Sequence, residues 1–206
     1  FVLSSHRTEA SWERYQKNIA DARADLGVGA PVMDYCEGWH DHPLFVQTWV
    51  ERIGAALAAI DLSQRDSTPL IFTAHSLPLV MAARSPYVEQ LEASARLIAE
   101  KLNHRHWSLS YQSRSGKPTE PWLEPDIGEV LRQLASHGQK QVVIAPIGFV
   151  CDHVEVLYDL DIEARKLADS LNVQMIRASC PNDHPTFIRM VADVIEQKIK
   201  ATEDRG

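Results

Sequence analysis

The chain has 206 residues, of which 45% are hydrophobic and 24% are charged, the composition of an ordinary globular protein with one large domain. Its net charge is −7, and no cluster of lysines and arginines stands out, which argues against nucleic acid as the main partner. No apolar run is long enough to cross a bilayer, so any membrane contact is expected to be peripheral.

The first third of the chain is predicted to be mainly helical. Apolar residues at helical spacing predict one helix over residues 9–26, ended by glycines, and a second over residues 43–60. Residues 31–35 are a short strand candidate between these two helices. The polar stretch 64–69 has the composition of a connector or a domain boundary.

From residue 70 onward, predicted strands alternate with predicted helices. The strands are 70–74, 107–112, 141–147 and 173–177, and the helices are 87–102, 127–137, 156–171 and 186–200. This alternation implies a mostly parallel sheet that helices cover on both faces. Right-handed crossovers would make it a doubly wound, Rossmann-like α/β sheet.

A histidine that could bind a metal or transfer a proton follows the first of these strands. His75 comes directly after residues 70–74, and Pro78 keeps the residues that follow it out of a helix interior. An imidazole at this position can bind a divalent metal or take a proton near neutral pH. The alternative is a histidine that only makes one backbone hydrogen bond in a turn. When His75 is considered without the other motifs, this structural role is slightly favoured over a metal or proton-transfer role.

A row of acidic residues follows strand 141–147. Glu155, Asp159 and Glu163 recur at every fourth position, which stacks three carboxylates along one helix face. Like charges at this spacing repel by about 0.2–0.5 kcal/mol per pair, and a bound cation would relieve that repulsion. Because an α-helix drifts by about 40° for each four-residue step, a π-bulge would bring the carboxylates closer to one column.

Helix capping competes with a metal or proton-relay site at the start of this row. Asp152 is a good N-cap, and Glu155 would then occupy the N3 position in a pattern like a capping box. Capping accounts for these two residues as well as a metal site does. It does not account for Asp159 and Glu163, for which the alternative is a solvated helix face.

The residues after strand 107–112 form a candidate binding loop. Residues 111–118 and 121–125 are rich in glycine, proline and polar groups and leave a strand at the same edge of the sheet. Trp122 could stack on a flat ligand or cover the edge of the sheet. Phe149 could likewise face a ligand or complete the core.

The other histidines are expected to lie on the surface. They are His6, His40, His42, His104, His106 and His137. His40 and His42 could bind a metal, although no predicted strand end lies beside them. Asn182 or Asp183 is expected to cap the last helix, with Pro185 at an early helical position.

Three segments together resemble the ferrochelatase family. Residues 72–78 (FTAHSLP) resemble the strand that carries the invariant histidine of that family. Residues 112–113 (QS), followed by 121–125 (PWLEP), resemble its Gln-Ser and Trp-Leu-x-Pro motifs. Residues 146–161 resemble its signature segment. The motifs occur in the family order, and the match covers most of residues 66–200.

The resemblance implies insertion of Fe²⁺ into a porphyrin, protoporphyrin IX or coproporphyrin III, in haem synthesis. It implies that His75 and Glu155 face each other across the porphyrin and share the handling of metal and pyrrole protons. Asp159 and Glu163 match acidic positions that guide metal or carry protons away. The positions that match the porphyrin pocket are Ser76, Gln112, Trp122 and Phe149.

Iron is expected as a substrate, and no prosthetic group is expected. Some family members carry a [2Fe-2S] cluster on a cysteine-rich C-terminal tail, whereas residues 196–206 contain no cysteine, which predicts that the cluster is absent. Cys36, Cys151 and Cys180 are widely spaced and form no CxxC pair, which favours a reducing, cytoplasmic location.

The resemblance also predicts how the chain is divided. Family members have two similar α/β halves with the cleft between them. Residues 1–65 match the end of the N-terminal half and residues 66–206 match the C-terminal half, so the chain is expected to lack an N-terminal portion. Two alternatives remain open: a cobalt or nickel chelatase of another tetrapyrrole, and a non-catalytic or truncated porphyrin- or haem-binding domain.

Overall fold

A parallel four-stranded sheet organises the part of the chain that the computed structural model describes, namely residues 1–36, 38–115 and 119–203. The strands are β1 (Leu70–His75), β2 (Trp107–Gln112), β3 (Gln141–Ala145) and β4 (Gln174–Arg177). Their order is β2-β1-β3-β4, and each neighbouring pair is parallel. Residues 116–118 of the predicted binding loop and residues 204–206 of the tail lie outside the described residues.

Helices connect and flank these strands. They are α1 (Arg14–Leu26), α2 (Pro43–Leu57), α3 (Leu62–Arg65), α4 (Leu79–Ala82), α5 (Tyr87–Lys101), α6 (Ile127–Ser136), α7 (Val154–Val156), α8 (Arg165–Ser170) and α9 (Pro185–Glu203). A π-helix at Glu9–Glu13 leads into α1. A second π-helix, Leu157–Ala164, joins α7 to α8 and is called the π segment below.

The sheet forms because its central strands are apolar on both faces. β1 is buried from Leu70 to Ala74, and Val142, Val143 and Ile144 of β3 are fully buried. Such continuous apolar runs are typical of parallel strands that are covered on both sides. Trp49 of α2 is also fully buried, in a helix that packs against α5 and α9.

The strand order explains where a ligand could bind. β1 pairs with β2 on one side and with β3 on the other, so the direction of the connections reverses between β1 and β3. With right-handed crossovers, this reversal places helices on both faces and confirms the predicted doubly wound α/β sheet. Open sheets bind ligands in the crevice beyond the carboxyl ends of the strands at such a point.

Several local predictions differ from the structure. Residues 31–35 form no strand, and Val32 is 92% exposed, because no neighbouring strand among the described residues pairs with them. The predicted connector 64–69 instead begins inside the short helix α3. In the first predicted helix Trp12 is buried, whereas Tyr15 and Leu26 of the same apolar face are exposed.

Two histidines that were expected on the surface are buried. Nε2 of His104 donates a hydrogen bond to the carbonyl oxygen of Thr68 at 2.9 Å. His6 lies between the hydroxyl groups of Ser5 and Ser94, at 2.8 and 3.0 Å. Among the described residues, no helix combines the length and apolar character needed to cross a bilayer.

Candidate active site

His75 and Glu155 form a close pair at the carboxyl edge of the sheet. His75 is the last residue of β1, and its Nδ1 atom lies 2.6 Å from Oε1 of Glu155. The two side chains are 36% and 35% exposed, so the pair is screened from solvent but still accessible. The hydroxyl of buried Tyr87 donates to the carbonyl oxygen of His75 at 3.0 Å and so fixes the end of the strand.

The contact with His75 also sets the charge state of Glu155. The hydrogen bond with His75 lowers the pKa of Glu155 below its usual range, and a hydrogen bond with Ser113 adds to that effect against the opposing influence of burial. Glu155 is therefore a carboxylate at neutral pH, able to bind a cation or to accept a proton.

The loop after β3 brings Glu155 to this position. The backbone N–H of Gly148 donates to the carbonyl oxygen of Thr73 at 3.1 Å, so the loop passes directly against β1. A Cβ atom at Gly148 would lie only 2.6 Å from the Cβ of Ala74. Only a glycine allows this approach, which brings the residues that follow β3 next to the end of β1.

The predicted capping by Asp152 is wrong. His153 is the N-cap of α7, and its Nδ1 accepts a hydrogen bond from the backbone N–H of Glu155 at 3.2 Å. Asp152 is instead drawn away from the helix by Arg177, whose Nη1 donates to its Oδ1 at 2.7 Å. Asn182 adds a second donor to Asp152 at 2.8 Å. The alternative of a capping box formed by Asp152 and Glu155 therefore does not hold, and Glu155 contacts His75 instead.

The π segment continues the row of acids from Glu155. The spacing of the carboxylates predicted a π-bulge, and the structure confirms a π-helix over Leu157–Ala164. Asp159 accepts a hydrogen bond from the hydroxyl of Ser113, which comes from the loop after β2. Glu155, Asp159 and Glu163 are called the acid column below. Among the described residues, no three His, Cys, Asp or Glu side chains converge closely enough to hold a metal ion.

A cavity of about 710 Å³ runs along the acid column. It is called the polar cavity, because carboxylates line one side and the loop after β2 and the start of α6 line the other. Its lining residues include His75, Gln112, Ser113, Arg114, Arg132, Glu155, Asp159 and Glu163.

A second cavity, of about 540 Å³, also borders His75, which is the one lining residue that it shares with the polar cavity among the described residues. It is called the aromatic cavity, and its lining includes Tyr15, His75, Met81, Tyr87 and Trp122. Trp122 reaches it because the backbone of residues 121–123 pairs with residues 77–79 after β1: the N–H of Leu123 donates to the carbonyl oxygen of Leu77 at 2.8 Å. His75 lines both cavities and stands at their boundary.

Three residues predicted to contact the macrocycle have other contacts. Ser76 is buried, and its hydroxyl donates to the carbonyl oxygen of Leu123 at 3.0 Å, which fastens the loop that carries Trp122. The Phe149 ring packs edge-on against His153, with the ring centroids 5.1 Å apart. Gln112 lines the polar cavity, and its Oε1 accepts from the hydroxyl of Thr73 at 2.9 Å.

The remaining polar candidates have structural partners. His42 contacts Asp193 through Nε2 at 2.9 Å and accepts from the N–H of Leu44 through Nδ1, so neither nitrogen is available to a metal with His40. At the start of α9, it is His184 that accepts from the N–H of Thr186, at 3.3 Å, and not Asn182 or Asp183.

Sequence reasoning missed Arg177 as part of the site. This arginine, the last residue of β4, contacts Asp152 and also grips Asp161 of the π segment through two hydrogen bonds of 2.8 Å. The signal that could have found it is a basic residue at the carboxyl end of a predicted strand, on the same edge as the acids. Ser113, which bonds to Asp159, belongs to the Gln-Ser motif but was given no role of its own, and Tyr87, which bonds to His75, gave no comparable signal.

The sequence is similar to known proteins over almost its whole length. A family model described as ferrochelatase matches residues 1–199. The coproporphyrin III ferrochelatase of Mycobacterium leprae strain Br4923 is 42% identical and aligns with 100% of this chain and 61% of its own. The ferrochelatase of Rhodopirellula baltica is 37% identical, over 97% of this chain and 57% of its own. The chain thus spans about three fifths of the length of these relatives.

The fold is similar to that of a solved chelatase. The sirohydrochlorin chelatase SirB of Bacillus subtilis subspecies spizizenii, solved in complex with cobalt, superimposes with a TM-score of 0.64. The similarity covers 98% of this chain and 69% of that protein, at 13% sequence identity. This comparison supports the chelatase fold that the motifs predict.

Proposed function

The chain belongs to the ferrochelatase family, and on that premise we propose that it inserts ferrous iron into a porphyrin. The observation that carries the proposal is the position of the pair His75 and Glu155. His75 lines the aromatic cavity and the polar cavity at once, and Glu155 lies 2.6 Å from it on the polar side. A ring and a metal ion that enter from opposite sides would meet at this pair.

The polar cavity suits the metal. Fe²⁺ arrives with a hydration shell, and carboxylates can replace those water ligands one after another. The ordinary pKa of a glutamate lies well below neutral pH, and the hydrogen bond with His75 lowers the pKa of Glu155 further, so it is ionised; Asp159 and Glu163 continue the row of carboxyl groups along the π segment. We assign to this acid column the approach of the metal and to Glu155 its transfer.

The aromatic cavity suits the macrocycle. Flat, apolar ligands bind in clefts that are lined mainly by aromatic and aliphatic side chains, and Trp122, Tyr15 and Met81 provide such a lining. The ring must lose two pyrrole protons when the metal enters. His75 lines both cavities, so we assign to it the acceptance of these protons one at a time, each passing to solvent through the polar cavity before the next is taken up.

Coproporphyrin III is the substrate we propose within the porphyrin class. The relative from Mycobacterium leprae, at 42% identity, and that from Mycolicibacterium smegmatis, at 40%, are both named for this porphyrin. A cytoplasmic location is proposed with it, because the three cysteines, Cys36, Cys151 and Cys180, form no disulfide. No [2Fe-2S] cluster is proposed, and iron enters as substrate alone.

Anaerobic assays of metal insertion test the proposal. The chain would be mixed with Fe²⁺ and coproporphyrin III or protoporphyrin IX, and metalloporphyrin formation followed by absorbance. We expect faster insertion with coproporphyrin III and a loss of activity in His75→Ala. Insertion of Co²⁺ or Ni²⁺ but not Fe²⁺ would favour a chelatase of another metal. Porphyrin binding without insertion of any metal would favour a binding domain instead.

A further inference from the structure

We propose that Arg177 is a positioning residue that holds the acid column in place by clamping two carboxylates which do not belong to that column, those of Asp152 and Asp161. The inference rests on the proposed function, because it assigns a purpose to the column. It differs from that function in naming residues that touch neither the metal nor the porphyrin.

The clamp consists of three short hydrogen bonds from one guanidinium group. Nε and Nη2 of Arg177 donate to Oδ1 and Oδ2 of Asp161, both at 2.8 Å, in the two-pronged arrangement that a planar guanidinium forms with a carboxylate. Nη1 donates to Oδ1 of Asp152 at 2.7 Å. The side chain of Arg177 thus connects Asp152, in the loop before Glu155, with Asp161, in the middle of the π segment.

The clamp is screened from solvent, so its partners cannot be exchanged for water without cost. The side chains of Arg177, Asp152 and Asp161 are 11%, 21% and 28% exposed. Burial opposes the ionised form of Asp152, but hydrogen bonds from Asn182 and Cys180 and the charge of Arg177 outweigh it and lower its pKa. Asp152 therefore stays charged despite its burial, and Asp161 is held by two hydrogen bonds from the same guanidinium.

The position of Asp161 explains how the clamp acts on the column. Asp161 lies two residues after Asp159 and two before Glu163, which places it on the opposite side of the helix. When Arg177 holds Asp161 against β4, the other two acids point into the polar cavity that they line. Asp152, held at the other end of the clamp, precedes Glu155 by three residues. Two of these acids, Asp152 and Asp161, are thus bound by Arg177. The other three, Glu155, Asp159 and Glu163, line the polar cavity.

Loss of the clamp should affect the metal more than the porphyrin. Without its anchor, the π segment is free to rewind toward an α-helix, which would turn Asp159 and Glu163 relative to Glu155. Asp159 and Glu163 would then diverge from the direction of Glu155. Trp122 lies on the loop that pairs with the residues after β1, and Tyr15 lies in α1; the hydrogen bonds of the clamp involve neither segment.

The test compares Arg177→Lys with Arg165→Lys. Lysine keeps the positive charge but cannot form the two-pronged contact, so it disturbs the geometry while preserving the charge balance. Arg165 is the control: it approaches Asp161 at 3.6 Å and donates to the carbonyl oxygen of Met175 at 3.1 Å, but its hydrogen bonds do not include Asp152. We expect Arg177→Lys to raise the KM for Fe²⁺ by about 10- to 100-fold, with the KM for porphyrin changed by less than about two-fold. Arg165→Lys should change neither.

Titration with Co²⁺, monitored by the visible absorption of the ion, measures metal binding to the acid column without any turnover. We expect Arg177→Lys to weaken Co²⁺ binding by the same factor as it raises the KM for Fe²⁺. If the parent chain binds Co²⁺ but inserts no iron, the proposed function fails while the clamp is still measured. Should the folded Arg177→Lys protein keep the parent affinity for both ions, the clamp has no positioning role.

Asp161→Asn provides a second route to the same answer if Arg177→Lys does not fold. It shortens no side chain, weakens the clamp from the other partner, and leaves the acid column itself intact. Where both single variants fold, the double variant should bind Co²⁺ no worse than the worse single variant, because both changes break one interaction. Fully additive losses, or an Asp161→Asn protein that binds Co²⁺ as the parent does, would overturn the inference.

Discussion

The Nδ1 atom of His75 lies 2.6 Å from Oε1 of Glu155, although 80 positions of sequence separate the two residues. The contact exists because β1 and β3 are neighbours in the sheet and because Gly148 lets the loop after β3 pass against β1. A base and a carboxylate are thereby fixed at the boundary between two cavities of different chemical character.

Glu155→Gln should slow metal insertion strongly without unfolding the protein. The amide keeps the shape of the side chain and can still bond to His75, but it lacks the charge that binds a dication. We expect insertion to fall by about 10²- to 10⁴-fold. Glu196→Gln, an exposed acid of α9, should leave the rate unchanged. Retention of the parent rate in Glu155→Gln would leave the carboxylate without a role in insertion.

Trp122→Leu should weaken porphyrin binding and leave the metal dependence unchanged. Trp122 is 7% exposed and lines the aromatic cavity, and an aromatic contact contributes about 0.5–1.5 kcal/mol beyond its buried area. We therefore expect the Kd for porphyrin, measured by quenching of porphyrin fluorescence, to rise by about 2- to 10-fold. Trp107→Leu is the control, because Trp107 is the first residue of β2, whereas the loop that carries Trp122 follows the last residue of that strand. An equal loss of affinity in both variants would point to a general loss of stability.

Gly148→Ala should destabilise the protein, whereas Gly54→Ala should stabilise it. A Cβ atom at Gly148 would meet Ala74 at 2.6 and 2.8 Å, a clash with β1 that costs about 1–3 kcal/mol. A Cβ atom at Gly54, inside α2, meets nothing within 4 Å, and alanine there should contribute about 0.5–1 kcal/mol. Urea unfolding of the two variants measures the difference. A stable Gly148→Ala protein would show that the loop has another path.

Acidification should destabilise the protein through His6. Burial, aided by the nearby His40, lowers the pKa of His6 to about 3, so the unfolded chain takes up this proton at a higher pH than the folded one. The stability is complete above about pH 6.5 and is lost as the pH falls from there toward 3. At pH 5 the loss from this one group is about 2 kcal/mol.

Urea unfolding at pH 7 and pH 5 checks this prediction. His6→Gln should reduce the difference between the two free energies of unfolding, whatever it does to their absolute values. His106→Gln, an exposed histidine, should leave the difference as it is in the parent chain. The prediction is wrong if both variants behave alike.

The sequence predicted the parts of the fold that depend on local patterns. The predicted and observed bounds of β2 coincide, and those of β1 and β4 differ by one residue, because short apolar runs between polar connectors have few alternatives. The π segment could also be predicted, since three acids at four-residue spacing align better in a wider helix. The family was evident from its motifs and is confirmed by the match over residues 1–199.

What depends on the order of the strands could not be predicted from the sequence. Arg177 selects Asp152 and Asp161 only because β4 lies beside β3, and these partners are 25 and 16 residues away. The burial of His6 and His104 depends on how distant segments cover them. The candidate capping by Asp152 failed for the same reason, because a local rule could not include an arginine from another strand.

The position of β3 has a consequence for the order of events during synthesis. β1 and β2 can pair as soon as both have left the ribosome, whereas β3 must then add to the free edge of β1, and β4 to the edge of β3. His75 therefore lacks its carboxylate partner until the contact between β1 and β3 forms. Contacts of such long sequence separation form slowly during folding. A nascent chain can thus bring His75 and Glu155 together only after β3 is in place.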